Sequence, residues 1–177
     1  MVGIECNKAL VALVKEAVKD FRLTRIATQT ERKPGSLYID SETPEYDEDP
    51  QDLVQVQVFD GFIPSADKID RISPFVTVRP VSAVVSNGGT QLKISIIVGT
   101  FSRDQDGYHD TLNVVDRIVT RIMQIPDNIL DGRYNLVDNI TWELTDDQDE
   151  PFFYVTMNTS WSMLSTFHED SISKEYL

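Results

Sequence analysis

Cysteine and histidine are nearly absent from this 177-residue chain. Its one cysteine, Cys6, excludes an intramolecular disulfide and a cysteine-based metal cluster. Only two histidines, His109 and His168, are present. No apolar run approaches the roughly 20 residues that a membrane-spanning helix needs. The first five residues also lack the basic and apolar regions of a secretory signal.

Basic residues are scarce as well. The chain has 16 basic and 29 acidic residues, which give a formal net charge of −13. Proteins that bind nucleic acid through its phosphates need clustered Lys and Arg, so the excess of acidic residues argues against a nucleic-acid-binding protein. It equally disfavours docking on an anionic membrane. Apolar residues make up 41%, which is enough for a core without metals or disulfides. We expect an acidic, soluble, cytoplasmically made protein folded as a single domain over 1–177.

Two stretches show helical periodicity. In 4–22, apolar residues recur at spacings of three and four, which predicts an amphipathic helix. Its buried stripe comprises Cys6, Leu10, Val14, Ala17 and Phe21. A second helix is predicted before Pro126, with Asp104 or Asp106 as its cap. Its buried stripe comprises Tyr108, Leu112, Val115, Val119 and Ile122. Its wet face comprises Asn113, Asp116, Arg117, Thr120, Arg121 and Gln124.

Alternating apolar residues predict several strands. The clearest element is an antiparallel hairpin over 75–101, with a turn at 86–90 and a bulge where the apolar phase shifts at Pro80. Shorter alternating runs are 54–58, 140–144 and 153–163. The order of elements predicts an α+β fold with a largely antiparallel, or mixed, sheet and both helices packed on one face. The other face carries Thr, Ser, Asn and Lys in part, and we expect it to meet water or another subunit.

Residues 23–52 predict a long loop, because they contain several prolines and a dense acidic patch. Loops of this length within one domain are often functional, although a solvated insertion explains the pattern equally well. Further turns are predicted at Asp131-Gly132 and at the acidic stretch 145–151, and a polar tail is predicted from about 168.

No set of residues assembles into a catalytic site. His109 lies near Asp106 and Asp110, but a surface histidine at a helix start explains this arrangement better than an acid–base pair. Residues 102–107 resemble part of a calcium loop, yet the twelfth position is Asn113 rather than a bidentate glutamate. Cys6 lies on the buried stripe and is interpreted as a small core residue. Trp142 and Trp161 are interpreted as core or interface aromatics, because no basic residues interleave with them. We expect no enzymatic activity, no cofactor and no metal.

One series of motifs, over about 54–163, resembles a known family. It consists of Phe62-Ile63-Pro64, Pro74-Phe75-Val76-Thr77-Val78-Arg79-Pro80, Ile96-Ile97-Val98-Gly99-Thr100-Phe101, Asp106-Gly107-Tyr108-His109-Asp110, Leu112-Asn113-Val114-Val115-Asp116-Arg117-Ile118, Tyr134-Asn135-Leu136, Ile140-Thr141-Trp142-Glu143 and Pro151-Phe152-Phe153. The series resembles the tail terminator, or tail completion, proteins of long-tailed bacteriophages. The acidic insertion at 41–52 does not belong to that pattern.

The resemblance implies a virion protein of the tail and neck, assembled in the bacterial cytoplasm. It implies a homo-oligomeric ring, usually of six subunits, that caps the tail tube protein and joins it to the head–tail connector protein. Double-stranded DNA would pass through without specific binding, because an acidic wall repels phosphates over about 8 Å at physiological salt. The candidate channel-facing acids are Glu42, Glu45, Asp47, Glu48, Asp49, Asp104, Asp106, Asp146, Asp147 and Asp149.

Three other functions stay open at this point. A different neck component, such as a head-completion or adaptor protein, would share the composition. A small hydrolase or metal-binding enzyme would use His109, Asp106 and Asp110. A protein that mimics DNA would need acids spread regularly over one face, whereas here they concentrate in loops. For the ring, the candidate contact surfaces are the hairpin 75–101 and the first helix, because ring closure needs head-to-tail contacts.

Overall fold

The chain was analysed as a computed structural model, which describes residues 2–24, 53–62, 73–102, 107–145 and 152–164. The helices are α1 (Val2–Val18) and α2 (Tyr108–Met123). The strands are β1 (Arg22–Thr24), β2 (Leu53–Gln55), β3 (Gln57–Asp60), β4 (Phe75–Ser86), β5 (Gly89–Phe101), β6 (Ile129–Leu130), β7 (Tyr134–Leu144) and β8 (Phe152–Leu164). A 3-10 turn, Pro126–Asn128, joins α2 to β6.

Six strands form one sheet in the order β3-β4-β5-β8-β7-β6. Strand β3 runs parallel to β4, and the other four neighbouring pairs are antiparallel. Strands β1 and β2 form a separate antiparallel pair. The fold is therefore α+β with a mostly antiparallel, mixed sheet, as the order of elements predicted.

Strand β5 is paired on both sides from Gly89 to Gly99. On one side it forms the predicted hairpin with β4, from Phe75 opposite Gly99 to Ser86 opposite Gly89. The register shifts between Pro80 and Ser82, which confirms the predicted bulge. On the other side β5 pairs with β8 from Gly89 to Phe101. The sheet is thus built outward from β5.

The core lies between one face of this sheet and the two helices, which contact each other. The sheet contributes Val76, Val78, Ile94, Ile96, Val98, Val155, Met157 and Trp161, all buried. The helices contribute Leu10, Val14 and Val18 from α1, and Val114, Ile118 and Ile122 from α2. Each such side chain contributes about 1.5–3 kcal/mol by leaving water. Both helices therefore cover the same face, as predicted.

Helix α1 is shorter than predicted. It ends at Val18 instead of Arg22, so Phe21 lies beyond it and is half-buried. Leu23 and Thr24 belong to β1, although the sequence placed them in the long loop. Pairing with β2 sets this boundary, and such long-range contacts override a local helical pattern. Residues 25–52 lie outside the described part of the chain.

The buried stripe of α2 is also displaced from the prediction. Its fully buried residues are Thr111, Val114, Val115, Ile118 and Ile122. Tyr108, Leu112 and Val119, which were expected in the stripe, are only half-buried. The Thr111 hydroxyl shares a buried hydrogen bond of 2.5 Å with the Thr100 hydroxyl. A polar residue can therefore occupy the core there. The predicted wet face is exposed at all six positions.

The ends of α2 agree with the sequence only in part. The N-cap is Gly107, which has no side chain to cap with, and the predicted caps Asp104 and Asp106 lie outside the described residues. At the other end the helix stops at Met123, shortly before Pro126, as predicted.

The strands differ from the prediction in three places. The run 54–58 forms two strands, β2 and β3, with different partners. Strand β6 was not predicted, and β7 begins at Tyr134 rather than Ile140. Asp138 has a positive φ of 65°, and the register with β8 shifts between Val137 and Thr141, so the alternation that marks a strand is interrupted. The predicted turn at Asp131-Gly132 is confirmed, with positive φ at both residues.

The buried side chains of β5 lead to a first testable prediction. Ile94→Asp or Ile96→Asp should abolish folding, because each would bury a carboxylate at a site with no exposure. Lys93→Asp, on the exposed side of the same strand, is the matched control and should fold. Circular dichroism and thermal melting check this, and a native-like melt for either isoleucine variant would contradict it.

The close approach of the Phe75 ring to the backbone at Gly99 leads to a second prediction. A Cβ added at Gly99 would lie 2.5 Å from the ring of Phe75, so Gly99→Ala must displace that buried ring. Overpacking of this kind costs about 1–3 kcal/mol. Gly88→Ala, where the nearest atom is the Ser86 Oγ at 3.9 Å, should change stability much less. Urea unfolding of the two variants measures the difference, and equal stabilities would show that the ring adapts freely.

Candidate functional surface

The ten acidic residues predicted to face a channel all lie outside the described residues. The charge is nevertheless distributed unevenly along the chain. The described ranges hold 10 acidic and 9 basic residues, a net −1. The remaining segments hold 19 acidic and 7 basic residues, a net −12. The sheet and helices are therefore almost neutral, and the acidity resides in the other segments.

The residues considered for an acid–base site do not form one where they are described. His109 is exposed in the first turn of α2, with its ring centroid 4.2 Å from that of Tyr108. Asp110 follows it and is half-buried, while Asp106 lies outside the described residues. Within the described ranges, no three His, Cys, Asp or Glu side chains are placed to hold a metal ion together. The calcium-like loop falls mostly at 103–106, which is not described.

Two open depressions flank α1. One, of about 520 Å³, lies between α1 and the strands β2 and β3, where the Gln55 Nε2 donates to the Lys19 carbonyl oxygen at 2.8 Å. The other, of about 500 Å³, lies between α1 and α2. Beside this second depression, the Arg117 Cζ lies 4.9 Å from the ring centroid of Phe21. Both are shallow and lined by surface helix residues, so neither has the form of an enclosed ligand site.

Cys6 is a core residue, as the sequence predicted, with 1% of its surface exposed. Burial raises the pKa of its thiol to about 12, because the thiolate would lose its hydration. The thiol is consequently protonated at neutral pH and does not act as a nucleophile.

The face of the sheet away from both helices carries an aromatic cluster of Phe75, Phe101, Phe152 and Tyr154 at one end. The rest of this face is mostly polar, and we call that part the polar face. Strand alternation places on it the side chains of Thr77, Arg79, Ser82, Gln91, Lys93, Ser95, Thr141, Glu143, Thr156, Asn158, Ser160 and Ser162. Most of these are uncharged hydroxyl or amide groups. Arg79 and Lys93 are balanced in part by Glu143. Thr77, Ser95 and Ser160 are nevertheless buried, and the apolar Val84 and Ile97 point to the same side, so the expected Thr, Ser, Asn and Lys surface is present only in part.

Both borders of the sheet are only partly paired. Strand β3 pairs with Phe75–Val78 of β4, and the Gly61 amide donates to the Val78 carbonyl oxygen at 2.9 Å. Strand β6 pairs only with Tyr134 and Asn135 of β7. Among the described residues, no strand pairs with the outer side of β4 beyond Val78 or of β7 beyond Asn135. Within the described ranges, each border therefore presents backbone donors and acceptors that have no strand partner.

Apolar side chains concentrate on these borders. The eight most exposed large apolar residues of the described part are Ile4, Leu53, Phe62, Val81, Val84, Val85, Met123 and Trp142. Four of them lie on the unpaired lengths: Val81, Val84 and Val85 on β4, exposed by 60%, 67% and 73%, and Trp142 on β7, exposed by 50%. Trp161, by contrast, is 1% exposed. Large exposed apolar side chains grouped at a sheet border favour an interaction surface.

Sequence reasoning foresaw only part of this surface. The hairpin was named as a contact element, and Trp142 was assigned to the core or an interface. The signal it missed is the pair Val84-Val85, because adjacent valines in a strand point to opposite faces and cannot both enter one core.

No protein-family model matches the chain, and no curated protein sequence matches it. Among solved structures, it is similar to the core region of PilO from the type IV pilus system of Pseudomonas aeruginosa. The identity is 15% and the TM-score 0.30, over 59% of this chain and 96% of that one. At this TM-score the likeness carries no inference about function.

Neither α1 nor α2 is both long and apolar enough to cross a bilayer.

The raised pKa of Cys6 makes a third prediction. At pH 8 a thiol reagent such as dithionitrobenzoate should modify the folded protein many-fold more slowly than the urea-unfolded chain, because an ordinary thiol is partly ionised there. Absorbance of the released thiolate follows the reaction. Equal rates in the two states would show that Cys6 is accessible.

Proposed function

We propose that this chain is the subunit of a ring, of six copies, that caps the tail tube of a long-tailed bacteriophage and joins it to the head connector. The observation that carries the proposal is the two-sided character of the sheet. One face is buried under both helices, and the other has an aromatic cluster at one end and weakly charged, mostly polar side chains over the rest. Among the described residues, the two borders of this sheet are partly unpaired. Such a sheet can line a passage while its helices face outward.

The composition of the polar face fits a passage for DNA. Tight, salt-dependent binding of a duplex needs several Lys or Arg side chains on its phosphates. The polar face offers only Arg79 and Lys93, with Glu143 nearby in the same sheet. The net charge of −12 in the remaining segments adds repulsion instead of attraction. A duplex would therefore slide past such a surface.

The unpaired borders fit the assembly of a ring. A closed ring needs two different surfaces on each subunit, one for each neighbour. The borders of β4 and β7 are different, lie on opposite sides of the sheet and both expose apolar side chains. The family resemblance of residues 54–163 supplies the specific role at the end of a phage tail.

Light scattering after size exclusion, with negative-stain microscopy, tests the proposal. We expect closed rings with a central opening and a mass of about 120 kDa for six chains of 20.1 kDa. We also expect attachment to the ends of phage tails that lack their terminator. Fluorescence anisotropy with a labelled duplex should show no binding between 50 and 200 mM salt, roughly the range over which phosphate contacts are most evident.

Two outcomes would contradict the proposed function. One is tight, salt-sensitive binding of double-stranded DNA. The other is a protein that stays monomeric at all concentrations and also fails to attach to tail ends.

A further inference from the structure

We propose that neighbouring copies of this chain join by antiparallel pairing of β4 in one copy with β7 in the next, with Ala83 opposite Trp142. The ring then contains one continuous sheet. This inference rests on the proposed function, since it assumes a closed ring, and it specifies the contact that closes it.

The strand directions fit such a junction. The strands β4, β5, β8 and β7 are neighbours and successively antiparallel, so β7 runs opposite to β4 within one copy. Rotation about an axis close to the strand direction leaves that direction unchanged. A β7 strand brought beside the β4 strand of a neighbour is therefore antiparallel to it, and its backbone groups can form an ordinary ladder.

The unpaired lengths also fit. With Ala83 opposite Trp142, Val81 lies opposite Leu144 and Ser86 lies opposite Asn139. Strand β3 covers β4 only as far as Val78. The β7 strand of the neighbour would thus begin to cover β4 shortly after β3 leaves it, and the two would not compete for the same residues.

The apolar side chains then meet on the correct face. Ala83 pairs with Leu92, and Trp142 pairs with Met157, so both point to the side of the sheet that carries the helices. Val85 points to that side as well, two residues further along β4. The exposed indole of Trp142 would contact Ala83 directly and Val85 diagonally, which is within the reach of aromatic side chains across strands.

The offset between the two borders supports closure. Within one copy, Ala83 is level with Leu92 and Trp161, whereas Trp142 is level with Met157. Trp161 and Met157 are four residues apart on β8. Pairing Ala83 with Trp142 would therefore offset each copy from its neighbour by four residues along the strand direction. Each copy contributes four strands, so the offset is one residue per strand. A rise of about 3.3 Å per residue and a spacing of about 4.8 Å between strands give a tilt of about 35°. Closed barrels have strand tilts of about 35–45°.

The size of the resulting barrel suits a passage. Six copies with four strands each contribute 24 strands. At about 4.8 Å per strand and a tilt of about 35°, the circumference is about 140 Å and the backbone diameter about 45 Å. Side chains of the polar face would occupy the inner wall and leave a wide aqueous channel.

A two-fold pairing of β4 with β4 satisfies the observations less well. It would leave the β7 border and Trp142 exposed in every copy. It would also give a dimer and not a ring. The head-to-tail junction covers both borders with one kind of contact.

Disulfide trapping tests the junction. The double variant Ala83→Cys/Trp142→Cys, oxidised in a glutathione buffer at high protein concentration, should give a ladder of cross-linked species ending at a closed ring on non-reducing gels. The two positions lie on opposite borders of the sheet, so they cannot bond within one copy. Cys6 is buried and protonated and does not interfere.

Single variants and a matched control sharpen the test. Ala83→Cys alone and Trp142→Cys alone should not cross-link, whereas their mixture should give a dimer and nothing larger. The control Ala83→Cys/Met123→Cys places the second thiol on another exposed apolar residue, at the end of α2. A ladder no stronger than that of the control overturns the inference, and so does dimer formation by Ala83→Cys alone.

Failure of this inference can be told apart from failure of the proposed function. Rings seen by microscopy without an 83–142 cross-link would overturn the β4–β7 junction and leave the proposed function standing. An 83–142 ladder from a protein that does not attach to tail ends would support the junction and count against the proposed role in the phage tail.

Discussion

Strand β5 is the element on which the other parts of the fold depend. It is paired on both sides from Gly89 to Gly99, and one of its faces is buried beneath two helices. Burial on that face fixes the register of β4 and β8, because a slip of one residue would turn every apolar side chain towards water. The long hairpin, the position of α1 and α2 and the separation of an apolar from a polar face all follow from this constraint.

The same constraint explains where the surface for interaction lies. The core requires β4 and β8 to follow β5 to its ends, but β3 and β6 cover only part of the outer strands. The sheet is therefore complete at its centre and incomplete at its borders. Pro80 with its bulge on β4, and the irregularity at Asp138 on β7, shorten the regular part of each free border. Such features limit unwanted strand pairing.

The sequence predicted correctly those elements that are determined by a short stretch of the chain. The hairpin, both helices and the turns at 86–90 and at Asp131-Gly132 follow from apolar periodicity and turn chemistry. The end of α1, the pairing of β1 with β2 and the burial of Thr111 depend on distant partners, so no window of sequence contains them. The candidate surface has the same limitation. Val84 and Trp142 are visible in the sequence, but only the strand order shows that both lie at a border. The acids that the sequence singled out lie outside the described residues, and their place in a channel stays a prediction.

The shortness of the free borders has a consequence for how assembly would proceed. Each offers about five regular residues, a contact too small to hold two copies together for long. A copy inserted into a closed circle is held at both ends, and the second attachment then forms at a high effective concentration. Incomplete rings would dissociate while closed rings persist, so oligomers between the monomer and the closed ring would be scarce.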